Sequence, residues 1–185
     1  MIAEASGAIA RGEIVGMPTD TVYGLAVDPW TEGAMARLIR LKGRSTDKPV
    51  GLLVASLDQA NEIGSIDEHA RHLAISNWPG ALTLVVKPRV ALPTWIGDAQ
   101  TLTVALRVPA HDVALALLSA SGPLAVTSAN RSGEKEALTD VEARDKFGDE
   151  ISVYLVGEST GGLASTVVDA TGPTLRVLRQ GPVTV

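Results

Sequence analysis

The stretch from Pro18 to Leu25 reads PTDTVYGL and follows a short apolar segment. Within eight residues it places two hydroxyls, a carboxylate and a phenol, which would all need hydrogen-bond partners if buried. Such a loop suits the recognition of a polar amino acid or a nucleotide. Because Thr, Asp and Gly are also ordinary turn formers, a simple strand end and turn is the alternative. The side chains concerned are Thr19, Asp20, Thr21 and Tyr23.

A basic run follows, Lys42-Gly43-Arg44 and then Lys48-Pro49. Arginine offers bidentate hydrogen bonds to a phosphate, and lysine offers a mobile point charge. The chain has neither a GxxxxGK phosphate loop nor a GxGxxG turn, so side chains would have to hold any nucleotide. Lys42, Arg44 and Lys48 are therefore the candidate phosphate ligands. The alternative is an exposed basic face in which Lys42 and Arg44 only balance a helix dipole.

Two further candidate sites lie where predicted strands end. Thr127-Ser128-Ala129-Asn130 leaves a buried strand, and ligands commonly occupy the crevice at such ends. A plain strand-to-loop exit with local hydrogen bonds fits this spacing equally well. Arg107 ends an apolar segment, where an unpaired guanidinium would be costly, so we expect a carboxylate partner. The sequence leaves open whether that carboxylate belongs to the protein or to a ligand.

Two other patterns are set aside. The segment Gly157–Gly161 matches the GxSxG motif of serine hydrolases. A triad histidine would have to follow Ser159, yet all three histidines precede it, so we reject that class. His69 and His72 have no evident third ligand, and we predict no metal site formed by the protein.

Composition narrows the function classes further. Sixteen Lys plus Arg against twenty-one Asp plus Glu give a net charge of -5, and aromatic residues make up 3%. A surface of this kind neither attracts nucleic acid electrostatically nor offers a platform for stacked bases. The chain has no cysteine, no basic region ahead of an apolar block and no apolar run of membrane length. We therefore expect a cytoplasmic protein without a membrane partner.

The elements that must position these residues alternate between helix and strand. We predict an α/β (α+β) fold, a mixed sheet flanked by helices in one domain spanning residues 1–185, because several strands follow one another through short turns. Helices are predicted from residue 2 to about 11, over 31–41, as two short segments within 57–77, over 111–121, and from 139 to about 147. Strands are predicted over 13–17, 50–54, 82–87, 101–107, 124–128, 151–156, 165–169 and 175–178.

Seven motifs in one order carry a family resemblance: PTDTVYGL, LKGRSTDKP, WPGALTLV, TVALRVPAH, TSANRSG, ASTVVD and LRVLRQG. From about Glu13 to Pro182 the chain resembles the YrdC-like family of threonylcarbamoyl-AMP synthases. The resemblance implies a twisted mixed sheet and a nucleotidyltransferase that joins L-threonine, bicarbonate and ATP with release of pyrophosphate. The product feeds N6-threonylcarbamoyladenosine formation in tRNA. The chain stops just after Gly181-Pro182, so we expect the short, single-domain form.

The resemblance also implies roles for the candidate residues. Thr21, Arg107 and Ser165 would contact threonine, with Arg107 on its carboxylate, and Lys42 and Arg44 would act on the phosphates and the carbamate. Mg²⁺ would arrive on the ATP phosphates, with no tightly bound cofactor and no metal held by the protein. The nucleotide site would comprise Arg44, Lys48, Thr103, Ser128, Asn130 and Arg179.

The same resemblance implies partners and leaves two other functions open. The partners are the downstream tRNA threonylcarbamoyl transferase enzymes, with tRNA contact only indirect. A relative that handles carbamoyl phosphate or carbamoyl-adenylate, or a non-enzymatic RNA-binding module, is the alternative. The chain departs from many family members at Leu53, where they carry histidine.

Overall fold

The computed structural model describes residues 1–43 and 49–185, and within these ranges the chain forms six α-helices and ten β-strands. The predicted phosphate ligands Arg44 and Lys48 lie outside the described residues. The helices are α1 (Ile2–Ala10), α2 (Glu32–Lys42), α3 (Leu57–Ile63), α4 (Glu68–Asn77), α5 (Asp112–Ser121) and α6 (Asp140–Phe147). The strands are β1 (Val15–Met17), β2 (Gly24–Val27), β3 (Leu52–Leu53), β4 (Gly64–Ser65), β5 (Leu82–Pro88), β6 (Val104–Arg107), β7 (Leu124–Ser128), β8 (Val153–Tyr154), β9 (Thr166–Asp169) and β10 (Arg176–Arg179).

The strands form one mixed sheet in the order β10-β9-β5-β6-β3-β7-β2-β1-β8, and β4 pairs with β5 off this path. Three neighbouring pairs are parallel: β1 with β8, β3 with β6, and β5 with β9. The remaining pairs are antiparallel. The mixed sheet flanked by helices that the sequence predicts is therefore confirmed.

The core lies on both faces of one half of the sheet. One apolar cluster joins α1 and α5 to β1, β2 and β7, and a second joins the other helices to β2 and β5. All four residues of β2 are buried because helices cover both of its faces.

The other half of the sheet is covered on one face only. Along β5, Leu82, Leu84 and Val86 are buried, whereas Thr83 and Val85 are half-buried and Lys87 is exposed. Alternate residues of a strand point to opposite faces, so this pattern marks one face as open. β6 and β9 continue the open face with Ala105, Val167 and Asp169.

Local signals in the sequence set several of these boundaries. Gly43 adopts the left-handed conformation, with φ 58°, and ends α2 as predicted. Thr139 caps α6 by accepting a hydrogen bond from the backbone N of Glu142 at 3.1 Å. The Glu142 carboxylate accepts in return from the backbone N of Leu138 at 2.7 Å, so the predicted capping motif is confirmed.

The predicted strands differ from the structure in several places: β4 was not predicted, β3 and β8 are shorter than expected, and two regions near the candidate site differ as well. Residues 101–103 form no continuous strand, because Asp98 and Thr103 pair across a tight turn before β6 begins. The loop predicted to run to Leu25 ends earlier, since Gly24 and Leu25 already belong to β2. Glycine is weak in strands by propensity, but a Cβ at Gly24 would lie 2.8 Å from the Val126 side chain. Close packing between β2 and β7 therefore requires glycine there.

No helix in the described ranges is long and apolar enough to cross a membrane.

The buried Tyr23 side chain connects the β1–β2 hairpin to the residue after β8, and it makes the stability of the fold decrease at alkaline pH. Its side chain is fully buried, and its hydroxyl donates to the Leu155 carbonyl at 2.7 Å. Burial, reinforced by the charge of Asp140, raises the pKa of Tyr23, and burial raises the pKa of Tyr154 to about 12. A raised tyrosine pKa contributes stability that is complete below about pH 10 and is lost as the pH rises above it.

Tyr23→Phe is therefore expected to cost about 1–3 kcal/mol of unfolding free energy at neutral pH, because the Leu155 carbonyl loses its donor. Above about pH 10 the difference in unfolding free energy between the variant and the wild type should decrease. The wild type loses stability there because ionisation of the buried Tyr23 phenol is unfavourable, and the variant has no such phenol. Urea denaturation of both proteins across this range measures the effect. A gap that stays constant with pH would contradict it.

Candidate functional site

Arg107 stands at the end of β6 and is held by three partners. Its Nη2 donates to Asp20 Oδ1 at 2.7 Å, its Nη1 to Thr21 Oγ1 at 3.2 Å, and its Nε to the Gly80 carbonyl at 3.0 Å. The Arg107 and Asp20 side chains are only 10% and 13% exposed. The carboxylate partner expected for Arg107 is thus present within the protein, on the PTDTVYGL loop.

Hydrogen bonds within the PTDTVYGL loop divide its side chains into two groups. Thr19 shapes the turn, since its hydroxyl donates to the Val22 carbonyl at 2.7 Å and accepts from the Thr21 backbone N at 3.2 Å. Asp20 and Thr21 instead contact Arg107. The turn alternative thus describes Thr19 and in part Thr21, whose hydroxyl also lies 3.1 Å from the Thr19 hydroxyl, whereas the Asp20 carboxylate bonds Arg107 outside the loop.

A second loop braces the first from outside. Ser159 Oγ accepts from the Thr19 backbone N at 3.1 Å, and Thr160 Oγ1 donates to the Asp20 carbonyl at 2.6 Å. The backbone N of Gly161, whose φ is +68°, donates to the Thr21 carbonyl at 2.9 Å. The GxSxG pattern therefore supports the candidate site. Sequence reasoning missed this role, because short polar residues beside glycines are also typical of exposed turns.

Ser159→Ala is expected to destabilise the fold by about 1–3 kcal/mol, because the Thr19 N–H would be buried without an acceptor. We also expect no labelling of the wild type by a fluorophosphonate, since Ser159 is 2% exposed and bonded to the loop. Thermal unfolding and mass spectrometry test the two expectations. A stoichiometric fluorophosphonate adduct on Ser159 would instead support the serine-hydrolase interpretation that the sequence argues against.

Lys42, the last residue of α2, is buried at 5% exposure. Its Nζ donates to the Ser128 carbonyl at 2.6 Å, to Asn130 Oδ1 at 2.7 Å and to the Asn130 carbonyl. The interpretation as an exposed basic face is wrong for Lys42. The structure brings together Lys42, Ser128 and Asn130, three of the predicted site residues.

This lysine cluster lies beside the PTDTVYGL loop. β2 and β7 pair Gly24 with Ser128, and the Ala129 backbone N donates to the Tyr23 carbonyl at 2.8 Å. The loop after β7 returns to the same place, because the Tyr23 backbone N donates to the Ala137 carbonyl at 3.0 Å. The PTDTVYGL loop thus contacts both groups: its Tyr23 end joins the lysine cluster, and its Asp20 and Thr21 side chains reach Arg107, which the register places at the opposite end of β7 from Ser128.

Ser165 and Arg179, which the family resemblance assigns to threonine and to the nucleotide, lie in contact with each other. Arg179 donates to the Ser165 carbonyl at 3.0 and 3.1 Å and to its hydroxyl at 3.2 Å. The Ser165 hydroxyl also lies 2.8 Å from Thr83 Oγ1 on the neighbouring strand β5. Thr83 is a residue that sequence reasoning missed. Its signal was its place in the alternating strand after WPG, where a threonine shares the face of Val85.

Thr103 lies at the far end of the open face from Arg107. The two residues are four apart along β6, which separates them by about 13 Å. Thr103 lines a cavity of about 330 Å³ whose floor is formed by Val85, Ala105 and Asp169. Hydrogen bonds from Thr171, with a smaller contribution from Arg176, lower the pKa of Asp169 and keep that carboxylate engaged. The structure therefore brings Thr103 onto the face of Arg107, but not into contact with it.

Within residues 1–43 and 49–185 no group of three or more His, Cys, Asp or Glu side chains could bind a metal ion.

The fold and this site define a class: an α/β protein with a buried lysine, a buried arginine–aspartate pair and several hydroxyls beside a half-open mixed sheet. The comparisons with known proteins agree with that class. The model of the Sua5/YciO/YrdC family, described as "Telomere recombination", matches residues 7–181. The chain belongs to the Sua5/YciO/YrdC family, and the resemblance in its sequence is confirmed.

Relatives from bacteria and archaea extend the match over nearly the whole chain. A Mycobacterium tuberculosis protein is 47% identical over 184 residues, covering 98% of this chain and 84% of its own. The threonylcarbamoyl-AMP synthase of Vibrio cholerae is 37% identical over 185 residues, covering 96% of each chain. The crystal structure of Pyrococcus abyssi Sua5 complexed with L-threonine superposes with a TM-score of 0.90 at 38% identity, covering 97% of this chain and 54% of that one.

Proposed function

We propose that the chain is an L-threonylcarbamoyladenylate synthase, which forms threonylcarbamoyl-AMP and pyrophosphate from L-threonine, bicarbonate and ATP. The observation that carries the proposal is the buried Asp20–Arg107–Thr21 cluster, which places a guanidinium and a hydroxyl on the open face of the sheet. Two comparisons support the same function. The chain belongs to a family that includes named threonylcarbamoyl-AMP synthases, and it resembles a structure complexed with L-threonine.

Threonine is proposed to bind at the Arg107 end of the open face. The Arg107 fork suits a carboxylate, because a guanidinium pairs with it through parallel hydrogen bonds. The Thr21 hydroxyl, whose proton goes to Thr19, can accept from the substrate's own hydroxyl, and the Ser165 hydroxyl can donate or accept. Their burial, at 6% and 5% exposure, supports a fixed geometry for these contacts.

The nucleotide is proposed to extend from the lysine cluster across the open face. Ser128, Asn130, Thr103 and Arg179 would contact it, with Arg44 and Lys48 on its phosphates. Lys42 and Arg44 would neutralise charge where the carbamate meets the α-phosphate. Mg²⁺ would enter on the phosphates of ATP.

The proposed chemistry needs positioning and charge, and no nucleophilic side chain. The threonine amine adds to bicarbonate and water leaves, which gives a carbamate. A carbamate oxygen then bonds to the α-phosphorus of ATP, the bond to the β-phosphate oxygen breaks, and pyrophosphate departs. Holding both reactants in line on one rigid sheet face lowers the entropic part of the barrier.

The product's fate follows from its chemistry. A mixed anhydride of carbamate and phosphate is labile, so we propose transfer to tRNA by a downstream threonylcarbamoyl transferase, with tRNA contact only indirect here. We place the reaction in the cytoplasm, with residues 1–185 acting as one catalytic domain.

Pyrophosphate release in the presence of ATP and Mg²⁺ tests the proposal. We expect release to require both L-threonine and bicarbonate. Release without threonine would overturn the assignment. Turnover of carbamoyl phosphate without bicarbonate would favour the carbamoyl-handling alternative, and tight RNA binding without ATP binding would favour the RNA-binding one.

A further inference from the structure

The Asp20 carboxylate has one oxygen engaged and one unused. Oδ1 accepts from Arg107 Nη2 at 2.7 Å, whereas Oδ2 accepts no hydrogen bond from any residue in the described ranges. The side chain is 13% exposed. Oδ2 is not among the buried side-chain atoms of the described residues that lack a partner, so solvent or a ligand can reach it. The geometry therefore leaves an acceptor position beside Arg107 that the protein itself does not fill.

Arg107 has two N–H donors that the described contacts do not use. A guanidinium carries five N–H groups, and the described contacts use one on Nε, one on Nη1 and one on Nη2. One N–H on each terminal nitrogen is left for a ligand. A ligand carboxylate can accept from these donors, on the same guanidinium that Asp20 already binds.

An α-amino acid matches this pair of vacant positions. It is a zwitterion whose ammonium and carboxylate are separated by one carbon, so opposite charges lie side by side in the ligand as they do in the Asp20–Arg107 pair. We propose that Asp20 binds the substrate ammonium while Arg107 binds its carboxylate, which makes Asp20 a specificity-determining residue for α-amino acids. This inference rests on the proposed function and adds a residue to it.

Electrostatics explains why the aspartate favours a zwitterion over a plain acid. A ligand with only a carboxylate must share Arg107 with Asp20, and its negative charge faces a second negative charge. A zwitterion meets each charge with its opposite. A hydrogen bond to a charged group typically accounts for about a 10- to 100-fold change in affinity.

Two ligands separate this role from a purely structural one. L-threonine carries both charges, and 3-hydroxybutanoate has the same skeleton without the amine. Calorimetric titration of the wild type should give at least about tenfold weaker binding for 3-hydroxybutanoate. Asp20→Asn keeps the size of the side chain and removes its charge. It should weaken L-threonine binding about 10- to 100-fold while leaving 3-hydroxybutanoate unchanged or tighter.

The control is Asp58→Asn, which removes an exposed carboxylate from α3 and should bind both ligands like the wild type. If Asp20→Asn weakens both ligands equally, Asp20 acts only by orienting Arg107 and the inference is wrong. Unchanged L-threonine binding would also overturn it. Equal affinity of the wild type for the two ligands overturns it even if the variant does not fold. A wild type that binds no L-threonine instead contradicts the proposed function, so the two failures are distinguishable.

Discussion

Arg107→Met is expected to raise the KM for L-threonine by at least about 100-fold, because a bidentate charged contact to the carboxylate is lost. The fold should also lose about 3 kcal/mol, since Asp20 would keep its charge at 13% exposure without its partner. Steady-state pyrophosphate release and urea denaturation measure the two effects. Unchanged threonine kinetics in a folded variant would remove Arg107 from the site.

Two variants serve as controls for Arg107. Arg11→Met breaks an exposed arginine–carboxylate pair with Glu13, and it should change neither activity nor stability appreciably. Adding Asp20→Asn to Arg107→Met removes the stranded charge. The double variant should recover part of the lost stability and none of the lost activity, which separates the structural effect from the functional one.

Lys42→Met is the second change with a large expected effect. Methionine retains the apolar stem but removes the ammonium from the Ser128 and Asn130 oxygens, at a cost of about 2–3 kcal/mol. The loop after β7 would lose its anchor, and the site would lose a buried positive charge, so kcat should fall about 100-fold or more. Differential scanning calorimetry and initial rates measure the two effects.

Lys135→Met, which removes an exposed lysine from the loop after Asn130, is the matched control and should behave as wild type. Activity retained by Lys42→Met, with a normal melting temperature, would show that neither the anchor nor the charge matters to turnover.

Periodicity and caps were enough to predict the helices and the mixed character of the sheet. The α2 end at Gly43 and the α6 cap at Thr139 follow from local backbone chemistry, which a sequence displays directly. β2 was not predicted, because its glycine is selected by contact with Val126 from a distant strand. Such a contact leaves no local pattern.

The candidate site shows the same difference between local signals, which the sequence displays, and contacts between distant residues, which it does not. The sequence indicated that Arg107 needs a carboxylate, since burial of an arginine is visible from its apolar neighbours. It could not indicate Asp20 as the partner, because β-sheet topology alone brings these residues together. The role of Ser159 as an acceptor for Thr19 was hidden for the same reason.

The long spans of the site's hydrogen bonds have a consequence for how the chain folds. The two residues that Arg107 binds on the PTDTVYGL loop lie 86 and 87 positions before it in the sequence. The contacts of Thr19 with Ser159 and of Asp20 with Thr160 each span 140 positions. Contacts between distant positions form slowly, because loop closure costs entropy before any contact compensates for it. Helices and local turns should therefore form on the ribosome or during refolding well before ligand-binding competence. A nascent chain would acquire that competence only once the residues that follow β8 have emerged.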